Sequence, residues 1–536
     1  MARSPEQGPP SVRGGADGPR TDPEHWFLTP ADRGNPDTVL DSRHADGGSW
    51  TEGNQVTPLV HGATYFTALL AAVRALGPGD LLLFTDWRGD PDERLDGPGT
   101  EVGRVFADAA QRGVDVRGLV WRSHWDRFRF SAAENRHLGQ EIGDAGGQCL
   151  MDMRVRTLGS HHQKLVVLRH RDRPQDDVAF IGGIDLCHSR RDDEAHQGDP
   201  QPVRMAAVYG PHPPWHDIQM EVRGPAVGDA EAVFRERWDD ACPLTLNPLR
   251  QLDDLVRGNR SPVRPLPTQH PDPEPRGTAA VQLLRTYPPR VPRYPFARAG
   301  ERSVARGYIT ALRRARRLVY LEDQYLWSRD VAAAFAQALR RSPELRLVVV
   351  VPLYADQGGR GAVVPTELGR WHALQLLRRA GGNRVGVYAV ENEAGTPIYV
   401  HAKVCVVDDA WACIGSDNAN RRSWTHDSEL SAAFVERTTT GTAHALRLGL
   451  VAEHLGQAAP DDPDDPAAWF TAYRDAAAAL DAWHAGGRRG PRPPGRVRCY
   501  RPERISWTSR LWAEPLYRWV YDPDGRTPAD RVARRF

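Results

Sequence analysis

The hydrophobic pattern changes period in a repeating order. From Tyr65, "YFTALLAAVRAL" has apolar residues at helical spacing, and "DLLLFTDW" follows as a short continuous apolar run. Three- and four-residue spacing marks an amphipathic helix, and a short unbroken run marks a buried strand. "VGRVFADAAQRGVDVRGLVW" then gives helix and strand again. From Tyr308 the same order returns in "YITALRRARRLVYLEDQYLW" and "VAAAFAQALRRSPELRLVVVV". Both stretches open Tyr-x-Thr-Ala-Leu, which predicts an internal duplication. Alternating helices and strands predict an α/β fold, with helices covering a sheet. The longest apolar run, "LRLVVVVPLYA", is too short to span a bilayer and predicts a buried strand.

Three breaks interrupt this pattern. The Gly-, Pro- and charge-rich start predicts disorder to about residue 25, within a flexible tail and lead-in over 1–44. "RGNRSPVRPLPTQHPDPEPRG", 257–277, predicts an extended stretch within a Pro-rich linker over 251–277. "PDDPDDP" marks a boundary or an acidic helix start. The expected units are a lobe over 45–250, a second over 278–458, and an extension over 459–536 packed on both. Almost no chain remains for a separate membrane-targeting module. The C-terminal "SWTSRLWAEPLYRWVY" puts Trp512, Leu516 and Trp519 at helical spacing. It reads as a helix docked on the body, with an interfacial aromatic anchor as the alternative.

Composition narrows the partners. With 70 basic and 69 acidic residues the net charge is +1, which disfavours a broad polyanion-binding surface. The first residues lack an apolar export core, so the expected location is cytoplasmic, at most peripheral on the inner face of a membrane. The six cysteines show no CxxC pairing and read as isolated thiols. "RRARR" at 313–317 reads as a solvated helix face.

One compositional detail points to chemistry. Only Lys164 and Lys403 are lysines, and each lies two residues after a histidine, His162 and His401. His162 follows Tyr65 by 97 residues and His401 follows Tyr308 by 93, so the pairs occupy matching places in the two copies. On a strand, residues two apart point the same way, so each copy presents an imidazole and an ammonium on one face. His161 would face the opposite way and pack. A β-branched run follows each pair, then a glycine turn: "AFIGGIDLC" with Gly183 and Asp185, and "ACIGSDNAN" with Ser416 and Asn418. Such turns let backbone N–H groups face an anion. If the copies face each other, two histidines, two lysines and two polar turns make a symmetric anion site. Phosphodiester cleavage fits it best. One neutral histidine attacks phosphorus, and the other protonates the leaving alcohol and then activates water or another alcohol. The lysines supply compact charge to phosphate oxygens. Spacing leaves open which histidine attacks. Each histidine needs an orienting carboxylate, for which Asp217 in "WHDIQ" and Glu429 in "DSEL" are the candidates. Trp87 and Tyr325 end strands where pocket walls form.

"SHHQKLVVL", "VHAKVCVVD" and "IGSDNANRRSW" resemble the paired HKD motifs of the phospholipase D superfamily, and "PWHDIQMEVRGPAV", "VYLEDQYLW" and "HDSEL" resemble segments around those motifs in plant- and animal-type enzymes. The resemblance covers about residues 50–435. It implies two pseudo-symmetric lobes, each a mixed sheet flanked by helices, in one bilobal α/β/α/β/α unit with the site at the lobe interface. It also implies His162 as nucleophile, His401 as general acid, no cofactor or metal requirement, and a phospholipid substrate at a membrane surface. Both motifs lie in one chain, so a monomer suffices. The motif Asp is present as Asp408, a structural position, but its first-copy equivalent is Arg169. Alternatives are a cardiolipin-synthase-like phosphatidyltransferase, a nuclease, and an inactive lipid- or phosphate-binding scaffold.

Overall fold

The computed structural model describes residues 21–123, 132–256, 262–357, 360–438, 440–456, 459–460, 462, 464–502, 505–533 and 535–536. The first half of the chain forms strands β1 (Thr51–Val60), β2 (Leu81–Asp86), β3 (Asp115–Trp121), β4 (Gln148–Asp152), β5 (Leu165–Arg169), β6 (Val178–Gly182), β7 (Trp215–His216) and β8 (Ile218–Arg223). The second half forms β9 (Ala279–Tyr287), β10 (Glu301–Arg302), β11 (Leu318–Asp323), β12 (Arg346–Val350), β13 (Val385–Val390), β14 (Tyr399–Val400), β15 (Lys403–Val407), β16 (Trp411–Gly415) and β17 (Glu429–Glu436), with β18 (Val497–Cys499) added late.

All the strands except β7 and β14, which pair with each other, form one mixed sheet whose order states the duplication. Outward from the centre, one half runs β1-β8-β6-β5-β2-β3-β4 and the other β9-β17-β16-β15-β11-β12-β13. The innermost strands, β1 and β9, pair antiparallel and join the halves. The helices expected from Tyr65 and Tyr308 are Gly62–Arg74 and Ser303–Arg314, and the next pair is Val102–Gln111 and Arg329–Arg341.

Strands buried on both faces explain the unbroken apolar runs. Leu82, Phe84, Val166 and Leu168 pack with the helices Gly62–Arg74 and Val102–Gln111. Leu81, Leu83, Leu165 and Val167 face the opposite layer, which includes Val227 and Phe234 of the helix Ala226–Trp238. That second core continues without a break into Val281, Val404, Phe434 and Leu450 of the other half. Each buried Leu or Phe contributes about 1.5–3 kcal/mol, so the halves stabilise one another through this shared layer.

The flexible lead-in is corrected over 21–44: Trp26, Phe27 and Leu28 are buried against Leu284, Val304 and Tyr308 of the second half, and buried Arg33 donates to the Leu283 carbonyl at 2.8 Å. Apolar residues hidden within the polar stretch cause this packing. Residues 1–20 lie outside the described residues. The linker is corrected at its start, where residues 251–256 belong to the helix Pro248–Val256; residues 262–276 run without helix or strand along the first half, where Arg264 N–H donates to Gln148 Oε1 at 2.8 Å. In "PDDPDDP" the last Asp, Asp465, caps the helix Pro466–Ala485 by accepting from the N–H groups of Ala467 and Ala468.

No helix among the described residues is long and apolar enough to cross a membrane. The cysteines are all free thiols.

Candidate active site

Both histidines sit just before a central strand and are held by the opposite half. His162 N–H donates to the Ser428 carbonyl at 2.9 Å, and His401 N–H donates to the His216 carbonyl at 2.8 Å. These bonds line each histidine up beside a carboxylate at the start of a partner strand. His162 Nδ1 meets Glu429 Oε2 at 2.8 Å, and His401 Nδ1 meets Asp217 Oδ2 at 2.6 Å. A Nδ1–H donated to a carboxylate fixes the tautomer and leaves Nε2 for substrate. Asp217 and Glu429 therefore lie where an orienting group is needed, each in the lobe that does not supply the histidine.

The lysines fold back along their own strands. Lys164 Nζ lies 3.0 Å from Asp185 Oδ1 and donates to the His162 carbonyl at 3.0 Å. Lys403 Nζ lies 3.0 Å from His401 Nδ1 and donates to the His401 carbonyl. Asp185 also approaches Arg190 at 3.5 Å. It is thus a partner for cations and faces no phosphate alone. Arg190 was not singled out in the sequence; it is buried with its guanidinium 4.1 Å over the Trp215 ring. Trp215 in turn packs 5.0 Å from His401, and Trp87 lies edge-on 6.2 Å from His162. Tyr325 stacks on Trp327 at 3.9 Å.

The glycine turns are corrected. Gly183 N–H donates to the Ile218 carbonyl at 3.0 Å, and Ser416 N–H donates to the Leu430 carbonyl at 2.9 Å, so ladder bonds occupy the donors expected to face an anion. Gly183 is needed for space: a Cβ there would lie 2.5 Å from Asp217 Oδ1. Ser416 Oγ donates to Glu429 Oε2 at 2.5 Å and so anchors the carboxylate. Asn418 fits a polar binding role better, because its side-chain oxygen is buried without a partner. His161 is fully buried and faces away, as alternation requires.

The Arg169 asymmetry has a local cause. Leu81 pairs with Arg169 in the register where Leu318 adjoins Asp408. Asp408 accepts from the N–H groups of Arg316, Arg317 and Leu318 at 2.7–2.8 Å and so ties the turn entering β11. In the first half Asp80 does this instead, accepting from Gly77 and Arg171 N–H. Arg169 is freed to bind Asp177 and Glu231, each at 2.8 Å, and the linker carbonyl of Pro271. The motif Asp is therefore a strand-end clasp, away from the histidines. "RRARR" lies at that same far end of β11.

Charge distinguishes the two carboxylates. Burial, reinforced by Asp427, pushes the Glu429 carboxyl up to about 8. Burial would also raise Asp217, but His401 and Lys403 beside it bring it down to about 2. Burial and then Lys403 lower the His401 imidazole to about 3, and burial and Lys164 push His162 well below its ordinary value. Burial lowers Lys403 to about 8. The resting site thus holds two neutral imidazoles among buried cations, an arrangement that favours an incoming anion.

Each of the two buried His–carboxylate contacts thus joins one half of the duplication to the other. Comparison with known proteins agrees: the Phospholipase D family model matches residues 91–332, and the Cardiolipin synthase, PLD-like domain model matches 308–445. The chain belongs to the phospholipase D superfamily. It is 27% identical over 492 residues to phospholipase D alpha 1 of Cynara cardunculus, covering 68% of this chain and 60% of that relative. It is 28% identical over 494 residues to phospholipase D alpha 1 of Ricinus communis, with the same coverage. The chain thus spans about 60% of the length of the curated relatives it matches. Its fold is similar to that of phosphatidylserine synthase from Haemophilus influenzae, with a TM-score of 0.52 and 14% identity over 75% of this chain and 86% of that one.

Proposed function

We propose that the protein is a phospholipase D-type phosphodiesterase that releases or exchanges phospholipid headgroups. The observation that carries this is the crossed pair of His–carboxylate contacts, which leaves two Nε2 atoms to act on one diester. The bound anionic diester, together with ionised Asp217, favours the imidazolium form of His401, which takes up a proton from solvent as the diester binds. His162 Nε2 then attacks phosphorus while the bond to the headgroup oxygen breaks, and His401 gives that oxygen its proton. His401 then takes a proton from water or a second alcohol, whose oxygen attacks phosphorus as the N–P bond breaks. His162 is assigned the attack because its side chain is more open than that of His401, 15% against 7%. His401 is assigned the proton because ionised Asp217 stabilises its imidazolium.

Lipid is favoured over nucleic acid by exposed apolar residues around the site. Arg422 ties the residue preceding "GSHHQK" to the C-terminal segment, donating to the carbonyls of Leu158 at 2.7 Å and Val520 at 3.0 Å. Leu158 and Val520 are exposed, as are Trp507, Leu511 and Trp519 of the C-terminal helical segment. Tyr517 docks that segment by donating to the Trp327 carbonyl at 2.7 Å. The segment is thus both docked and apolar on its outer side, which suits a peripheral contact with a bilayer.

The test gives purified protein phosphatidylcholine or phosphatidylglycerol vesicles, with and without ethanol, and single-stranded DNA. Headgroup release that depends on His162 and His401 supports the proposal, and phosphatidylethanol formed with ethanol shows the acceptor site to be open. DNA cleavage without lipid turnover overturns it, and failure on every diester favours a binding scaffold.

A further inference from the structure

Behind Asp217 lies a second cluster that the reaction does not use. His61, His196, His216 and Glu453 place one ligand atom each within 4.8 Å of one another. The three histidines are 5%, 1% and 0% exposed. Glu453, from the helix Thr442–Leu455, is the hub: Oε2 lies 3.0 Å from His61 Nε2, and Oε1 lies 2.9 Å from His196 Nε2 and 3.4 Å from His216 Nδ1.

The outer partners of these rings decide what can lie between them. His196 Nδ1 is 3.0 Å from the Trp215 carbonyl, an acceptor only, so this nitrogen carries the hydrogen. His216 Nε2 is 2.7 Å from Glu322 Oε2, so this nitrogen carries it too. In neutral rings, His196 Nε2 and His216 Nδ1 would then each point a lone pair at the Glu453 carboxylate. Lone pairs facing lone pairs in a buried site need positive charge between them. Two extra protons would serve, but they would make two imidazolium rings with centroids 5.7 Å apart. One divalent cation supplies the same two charges and keeps every ring neutral. A tetrahedral zinc with Zn–N near 2.0–2.1 Å has ligand atoms roughly 3.3 Å apart, close to the 2.9–3.4 Å between the Glu453 oxygens and the three rings. The Trp215 carbonyl and Glu322 then act as the outer groups that orient ligating histidines. His61 also adopts a φ of 69°, a conformation costly for a non-glycine residue, with its N–H donated to the Asp217 carbonyl at 2.9 Å.

We propose that His61, His196, His216 and Glu453 form a closed structural site for a divalent transition cation of the zinc class. The ion lies outside the reaction. It would fix the backbone at His216 and Asp217, where the His216 carbonyl accepts from His401 N–H and Asp217 holds the ring.

The experiment measures metal in the full-length protein, purified without chelator, by mass spectrometry. About one zinc per chain is expected, falling below a tenth in a folded His61→Gln/His196→Gln variant. After chelation, added Zn²⁺ should raise the melting temperature, and added Co²⁺ should give the intense visible bands of a four-coordinate site. The Co²⁺ spectrum of the unmutated protein decides the matter if the variant does not fold. Metal-poor protein that neither shifts with Zn²⁺ nor colours with Co²⁺ overturns the proposal, as does full zinc retention in the variant. These readouts need no substrate, so they stand or fall separately from the lipid assay.

Discussion

The two halves of the site have the same strand order and the same His-x-Lys spacing, yet they differ in nearly every partner. In one, His162 faces a carboxyl raised to about 8; in the other, His401 faces one lowered to about 2. The first half replaces the motif Asp with buried Arg169, whereas the second keeps Asp408 as a clasp. Duplication fixes where the groups stand. On the proposed mechanism the neighbouring charges then separate the roles: the raised carboxyl beside His162 suits a nucleophile, and the anion beside His401 suits a group that carries a proton.

The strongest way to break this comparison is to remove each histidine. His162→Ala should lose more than about 10⁴-fold in rate, and His401→Ala about 10²–10⁴-fold. With a nitrophenyl leaving group that needs no proton, His401→Ala should accumulate a phosphatidyl adduct on His162, detectable by intact mass. No adduct in that variant, with an adduct on His401 in His162→Ala instead, would reverse the assignment. Next in size, Arg169→Asp restores the motif but buries a third carboxylate beside Asp177 and Glu231. Breaking these buried pairs should cost about 3–5 kcal/mol in denaturant unfolding. A neutral result would show that the motif Asp is interchangeable between halves.

Lys164→Arg or Lys403→Arg should lose at least about tenfold in rate, roughly 1.4 kcal/mol, because the guanidinium fork does not fit a site shaped for an ammonium. Equal activity would leave the two lysines unexplained. A finer contrast lies in the pH profile. With its value lowered to about 8, Lys403 is charged below that pH and neutral above it. Activity should therefore fall above pH 8, and Lys403→Arg should move that fall upward at reduced rate. Glu429→Gln should leave the fall in place, which assigns it to the second half. The smallest effect is expected for Trp507→Ser with Trp519→Ser: a few-fold weaker vesicle binding by flotation, with turnover of a soluble short-chain diester unchanged.

The chemistry was more legible in the sequence than the geometry. His162, Lys164, His401 and Lys403 stood out because a background of arginine made two lysines conspicuous. Asp217 and Glu429 could be named as candidates because an imidazole needs an orienting group, but their crossing between halves could not, since it arises from pairing such as Val400 with His216. The glycine turns misled for a similar reason: Gly183 looks available in one dimension, whereas its N–H belongs to Ile218. His61, His196 and Glu453 have no shared spacing at all. Only the fold brings them together, so no pattern along the chain announces them.

The crossed carboxylates have one more consequence. Neither half holds an oriented imidazole by itself, so the relative position of the halves is itself a component of the active site. Any loosening of the seam would misalign both histidines at once. On the proposed mechanism, loss of alignment between the halves would be an off state, with competence resting on how the two copies hold each other.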